Sequence, residues 1–252
     1  MMCPLLLVPV LEISAQLPDA KQTMDKCREL TITSSLKADI ELTITERNGA
    51  TRNRKVAMTS KSYPDGLEKR LIKFLEPADI RGTGMLIFDF KDATDEMWIY
   101  LPALKRTRRI VSNEKGKSFM SSEFTNADMT SSPLSDFRIR HLPGSGENNQ
   151  WIIESTPVDD EKADEYGYSR KISYIRSSDY QFVKMEFYNF DNEHSRTIEI
   201  KSVHPLPGGK YTYKNMLAIN HRNSRKSEIL YTSISAGVDV DDSFFTVQNL
   251  ER

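Results

Sequence analysis

The sequence predicts a mainly β chain: a single, strongly curved antiparallel sheet with one short helix near the start. Two observations carry that fold class. Apolar and polar residues alternate with a period of two in about a dozen short segments from residue 35 onward. Turn-forming residues separate those segments at close intervals, among them Asn48-Gly49, Pro64-Asp65-Gly66, Gly144-Ser145-Gly146, Asp191-Asn192 and Pro207-Gly208-Gly209. A length of 252 residues suits one such all-β unit.

Composition narrows the classes of function. Thirty-five Lys and Arg stand against 36 Asp and Glu, for a formal net charge of −1. Phosphate backbones attract proteins with a basic excess, so nucleic acid is disfavoured as a partner. The two cysteines, Cys3 and Cys27, are too few for a disulfide framework or a zinc site. Recurrent strand-like patterning argues against a disordered chain.

The N-terminus carries a short apolar run, Cys3 to Leu11. A membrane-spanning helix needs about 20 apolar residues, so this run is too short to span. It has the character of a secretory h-region, with Ala15 before a cut, although no Lys or Arg precedes it. Residues 1–15 are accordingly expected to be a signal peptide lacking its basic start, and 16–252 one domain. Cys3 precedes the apolar run, which is the wrong side for lipid attachment.

Pro18 and Asp19 open a helix through about Leu30, with Asp19 as N-cap, Gln22 in the capping-box position and Ala20, Met24 and Cys27 on one stripe. Leu36, Ala38, Ile40, Leu42 and Ile44 then alternate with polar residues in a half-buried strand. Asn48-Gly49 turns the chain into a second strand through Val56 and Met58. Further strands are expected at 68–75, 85–90, 97–101, 106–112, 137–142, 151–155, 170–176, 182–188, 196–203, 216–221 and 228–234.

Catalytic signals are weak. His141, His194, His204 and His221 are scattered, with no metal-binding spacing. Gly208-Gly209-Lys210 lacks the upstream glycine of a phosphate loop, and no Gly-x-Ser-x-Gly elbow occurs. Asp239, Asp241 and Asp242 form an acidic turn whose spacing does not fit a calcium loop. Asp159, Asp160, Glu161, Asp164 and Glu165 are expected to be a solvated acidic loop. No catalytic residue, metal site or cofactor is therefore expected, and an enzyme is disfavoured.

Apolar stripes stand out instead. Leu86, Phe88 and Phe90 alternate along one strand, Trp98 and Tyr100 along the next, and Val183, Met185 and Phe187 along a later one. Ten methionines add side chains that adapt to irregular apolar ligands. Each stripe reads either as ordinary core or as the wall of an apolar cavity. The basic run Lys105, Arg106, Arg108, Arg109, Lys115 and Lys117 reads as a solvated edge or as a docking patch.

One stretch is specific enough to place. Pro77-Ala78-Asp79-Ile80-Arg81-Gly82 leads into Trp98-Ile99-Tyr100-Leu101-Pro102-Ala103, then Arg108-Arg109-Ile110 and Phe119-Met120-Ser121-Ser122-Glu123-Phe124, with Asp128 beyond. This resembles the outer-membrane lipoprotein-sorting proteins, relatives of the periplasmic carrier LolA. Two positions depart from that pattern: Ser121 stands for a glycine and Glu123 for an aspartate. The resemblance implies a half-open LolA/LolB-like β-barrel around an apolar cavity, with short helical segments as a lid.

It also implies residence in the periplasm and cargo consisting of lipoprotein acyl chains or lipids. The partner would be an inner-membrane transporter of the resistance-nodulation-division (RND) type or an outer-membrane acceptor, with the protein itself a monomer. Leu86, Phe88, Trp98, Tyr100, Met185 and Phe187 are expected to face the cavity. A register slip of one residue would exchange Trp98 and Tyr100 for Met97 and Ile99. The 113–130 segment, with Phe119, Met120, Phe124 and Met129, is expected to form a flap latched by Arg106, Arg108 and Arg109 through Glu123 or Asp128. A carrier is the first reading; an accessory or sensor that binds lipid and works with a transporter or signalling partner is the alternative.

Overall fold

The computed structural model describes residues 17–251, so the apolar run, Cys3 and the expected signal peptide lie outside the described residues. Helix α1 spans Ala20–Thr31. The strands are β1 (Ser35–Thr45), β2 (Thr51–Ser62), β3 (Glu68–Glu76), β4 (Gly84–Asp89), β5 (Glu96–Leu101), β6 (Arg106–Ile110) and β7 (Phe137–His141). They continue with β8 (Gln150–Pro157), β9 (Arg170–Arg176), β10 (Gln181–Tyr188), β11 (His194–Pro205), β12 (Tyr211–Asn220) and β13 (Lys226–Ala236). Helices α2 (Asp160–Tyr166) and α3 (Val247–Leu250) complete the set.

All thirteen strands belong to one antiparallel sheet in the order β6-β5-β4-β3-β2-β1-β13-β12-β11-β10-β9-β8-β7. The first and last strands meet in the middle, with Leu36 opposite Ala236 and Thr45 opposite Lys226. The two edges, β6 and β7, are consecutive in the chain, and the sheet does not close. Register shifts at Asp39/Ile40, Phe187/Tyr188 and Ile200/Ser202 are bulges, which bend strands and increase their twist. The predicted fold class, a half-open sheet with a short N-terminal helix, is the fold observed.

The main core fills the concave face with Leu36, Ile40, Leu42, Val56, Met58, Ile72, Phe74, Met85, Ile87, Met97, Ile198 and Ile229 among others. Asp19 caps α1 by accepting the Gln22 N–H at 2.8 Å. Its stripe of Ala20, Met24 and Cys27 packs on Trp151, Ile153 and Ile175.

Two helices escaped the period-two reading. The acidic stretch expected to be a solvated loop is α2: Asp159 caps it, accepting the Lys162 N–H at 2.8 Å, and Gly167 ends it at φ 75°. Glu165 is buried there, 2.8 Å from Lys115 and 2.9 Å from Lys162. Gly116 packs against Gly167 so closely that a Cβ at Gly116 would lie 2.8 Å from the Gly167 Cα. The other helix, α3, belongs to a C-terminal strap that lies on the outer face of β3–β5, burying Val240, Phe245 and Leu250 against Leu71 and Leu86.

Candidate functional site

Between the concave face and the segment that joins the two sheet edges lies a cavity of about 320 Å³. That is the lower end of the usual range for ligand pockets, ~300–1,000 Å³. Its walls come from alternate positions of facing strands: Ile40 and Leu42 of β1, Val56 and Met58 of β2, Ile72 of β3, Met185 and Phe187 of β10, Ile198 of β11 and Ile229 of β13. Helix α1 contributes Met24 and Cys27. Burial pushes the Cys27 thiol up to about 12, so it stays protonated and unreactive.

The segment 111–136 crosses from β6 to β7 as a chain of short 3₁₀ turns, at Ser112–Glu114, Phe119–Ser121, Ala127–Met129 and Leu134–Asp136. Phe119, Phe124 and Met129 line the cavity, and Met120 packs against the same core. Three of the four residues expected in a flap are thus part of the cavity lining, and the fourth packs beside it.

Of the six residues expected to line the cavity, Met185 and Phe187 do so. The other four belong to the opposite face. Leu86, Phe88, Trp98 and Tyr100 pack under the C-terminal strap, with Phe88 and Trp98 edge to face at 5.1 Å. Their neighbours Met85, Ile87, Met97 and Ile99 occupy the concave side. The physical reason is that β4 is buried on both faces, so alternation there marks two apolar stripes and cannot say which one looks inward.

The expected latch residues are also redistributed. Arg109 stands on the outer face over Trp98, its guanidinium 5.8 Å from the ring, and pairs with Glu96 at 2.6 Å. Arg108 pairs with Glu114 at the start of the flap, at 2.6 Å, and reaches neither Glu123 nor Asp128. Arg106 is exposed on the edge strand. Lys115 is no docking charge: it is 2% exposed, held between Asp95 at 3.3 Å and Glu165 at 2.8 Å.

Other arginines hold this segment. Arg54 of β2 donates to the Met120 carbonyl, and Arg70 of β3 donates to the Met129 carbonyl while pairing with Glu68 at 2.6 Å. Arg196 of β11 grips the Asp128 carboxylate with both terminal nitrogens and donates to the Glu123 carbonyl at 3.1 Å. Arg225 pairs with the Glu123 carboxylate at 2.9 Å and donates to the Ser121 carbonyl at 3.0 Å. Asn220 adds a hydrogen bond to Glu123 at 2.7 Å. Glu123 and Asp128 thus have their partners on distant strands. The signal for three of those partners was present: Arg54, Arg70 and Arg196 each precede a buried inward residue by two, namely Val56, Ile72 and Ile198.

Met120 and Ser121 are both left-handed, at φ 49° and φ 61°. Ser121 thus adopts the conformation for which a glycine is favoured, and Arg54 and Arg225 bind the carbonyls of this strained pair. The histidines are less scattered than their spacing suggests. His194 and His221 lie 4.3 Å apart between ring centroids and share Thr197, each at 2.9 Å. No group of three or more potential metal ligands occurs among the described residues. No helix there is long and apolar enough to cross a membrane.

Comparison with known proteins places this architecture. A putative outer-membrane lipoprotein-sorting protein domain from Vibrio parahaemolyticus superimposes with a TM-score of 0.84 at 23% identity, covering 92% of this chain and 98% of that one. A DUF1329 family protein from Desulfovibrio piger gives 0.81 at 23% identity, over 92% and 97%. A LolA superfamily protein from Nitrosomonas europaea gives 0.72 at 16% identity, over 92% and 100%. No curated protein matches the chain. A family model described only as "Uncharacterized protein"-like matches residues 66–252. The chain belongs to the family of that model, and its fold is that of the outer-membrane lipoprotein-sorting proteins of the LolA superfamily.

Proposed function

We propose that this protein is a periplasmic carrier that takes acyl chains of lipoproteins or lipids into its cavity and moves them toward the outer membrane. The observation that carries the reading is the apolar cavity itself, roofed by a flap that is tied down through polar contacts instead of being buried in sheet. An acyl chain of about 16 carbons costs on the order of 12 kcal/mol to expose to water, at roughly 0.8 kcal/mol per CH₂. A concave apolar face offsets most of that cost without covalent chemistry. Opening needs the flap to release its arginine contacts, and these are charge-assisted bonds that water or an acidic or basic partner surface can replace. The donor or acceptor would be an inner-membrane transporter of the RND type or an outer-membrane receptor.

The test is native mass spectrometry of protein purified from the periplasm of its own host, followed by lipid extraction. A co-purifying acylated species is expected, and it should be lost in a folded Met185→Trp variant, whose larger side chain fills the cavity. A clean apo mass, with no uptake of added lipid or lipopeptide, would overturn the carrier reading.

A further inference from the structure

The cavity wall carries charge in several places: Arg28 of α1 and Arg70 and Glu68 of β3 line it, with Arg70 paired to Glu68 at 2.6 Å, and a further cation stands where β8, β9 and β10 run side by side. Lys171 of β9 stands opposite Ser155 of β8 and Phe187 of β10, and all three line the cavity. The Lys171 ammonium has no ion-pair or hydrogen-bond partner among the described residues. Its contact is with the ring of Phe137, 5.6 Å from the centroid. The acid that lies near it, Asp128, is already engaged by Arg196 and by the Thr125 N–H at 2.7 Å. The cluster of Lys171, Arg196 and Asp128 therefore keeps one positive charge in excess.

Ser155 is a second, independent anomaly. It is 2% exposed, and its hydroxyl has no hydrogen-bond partner. Buried polar groups are normally paired. Here a half-buried cation on the cavity wall and a buried, unpaired hydroxyl stand in register on adjacent strands.

We propose that Lys171, with Ser155 beside it, receives the anionic head, a carboxylate or a phosphate, of a single-chain amphiphile whose tail fills the cavity. This rests on the carrier reading and narrows its cargo. One chain suits a volume at the lower end of the pocket range, and an anion supplies the partner that Lys171 lacks. Burial pushes the Lys171 ammonium down to about 8, against the pull of Asp128, as expected for a cation waiting for its counter-ion.

Binding of laurate, dodecyl phosphate, dodecanol and inorganic phosphate to the full chain, below micellar concentrations, tests this. The wild type should bind laurate or dodecyl phosphate about tenfold or more tighter than dodecanol, the scale of one charge-assisted contact. Lys171→Met should remove that preference and leave dodecanol within about twofold. The two anionic probes distinguish a fatty acid from a phospholipid-type source. Equal binding of dodecanol and both anions by wild type and variant would overturn the head-group assignment alone. Binding of inorganic phosphate as tight as that of dodecyl phosphate would also overturn it, by making the site one for a free anion. No binding of any chain, charged or neutral, would sink the carrier reading and this inference with it. The ligand-free Lys171→Met protein should melt above the wild type; a lower melting temperature would mean that Lys171 is a structural residue and would refute the assignment.

Discussion

Arg196 of β11 holds the Asp128 carboxylate with both terminal guanidinium nitrogens, tying the flap to a strand 68 residues further along the chain. The same guanidinium lies over the Phe187 ring at 4.0 Å, so it is fixed from two sides. Breaking a part-buried pair on one side leaves the other charge uncompensated. Arg196→Ala should therefore cost about 3 kcal/mol. Hydrogen exchange should show lost protection across 119–130 before any loss in β1 or β13. Arg196→Lys should rescue little, because a point charge cannot reproduce the two-nitrogen grip.

Ser121 adopts φ 61° without being a glycine. Ser121→Gly should stabilise the protein by roughly 1 kcal/mol, since the left-handed conformation costs a side-chain-bearing residue about that much. Denaturant unfolding measures it. An unchanged or lower midpoint would show that the Arg225 contact to this carbonyl already absorbs the strain.

Lys115 sits between Asp95 and Glu165 with almost no exposure, joining the turn before β5, the 111–136 segment and α2. Lys115→Ala would leave two buried carboxylates facing each other. A loss of about 3–5 kcal/mol is expected in the thermal or denaturant midpoint. Replacing all three by apolar residues should recover most of it.

Asp89 carries a pH signature. Burial, then the neighbouring Asp95 and Glu68, push its carboxyl up to about 7, against an ordinary value near 3.8. Between those values the unfolded chain has released the proton while the folded one keeps it, so Asp89 makes stability fall as pH rises from about 4 to about 7. Asp89→Asn should flatten that slope while losing part of the hydrogen bond from the Ser131 N–H, which is 2.8 Å in the native protein. Stability profiles of both proteins over pH 4–8 provide the comparison.

Trp98 separates the outer face from the cavity. Trp98→Glu should loosen the strap that carries Phe245 and Leu250, visible as faster proteolysis after residue 238, and leave amphiphile binding within about twofold. Gly84 reports on the same strap: a Cβ there would lie 2.7 Å from a Leu250 methyl, so Gly84→Ala should expose the same cleavage sites.

Local periodicity determined much of this molecule. The alternation from Leu36 to Ile44, and its repetition to residue 234, was enough to specify strand after strand, because a strand's side chains point to opposite faces whatever surrounds it. The Pro77–Gly82, Trp98–Ala103 and Phe119–Phe124 segments likewise pointed to the fold and to a flap, since such motifs are contiguous in the chain. Which face of β4 and β5 looks inward was decided only in three dimensions. A strap more than 130 residues downstream covers Leu86 and Trp98, and two buried faces leave the same alternation as one. The ion pairs of Glu123 and Asp128 were equally out of reach: nearby Arg108 and Arg109 resembled partners for them, whereas Arg196 and Arg225 reach them from distant strands. Lys171 looked like any polar residue in a strand, and only the curvature that puts β9 beside the cavity places its half-buried charge on the cavity wall. Local sequence sets what a residue can do in its own element; sheet curvature and the segment joining the sheet edges decide what it meets.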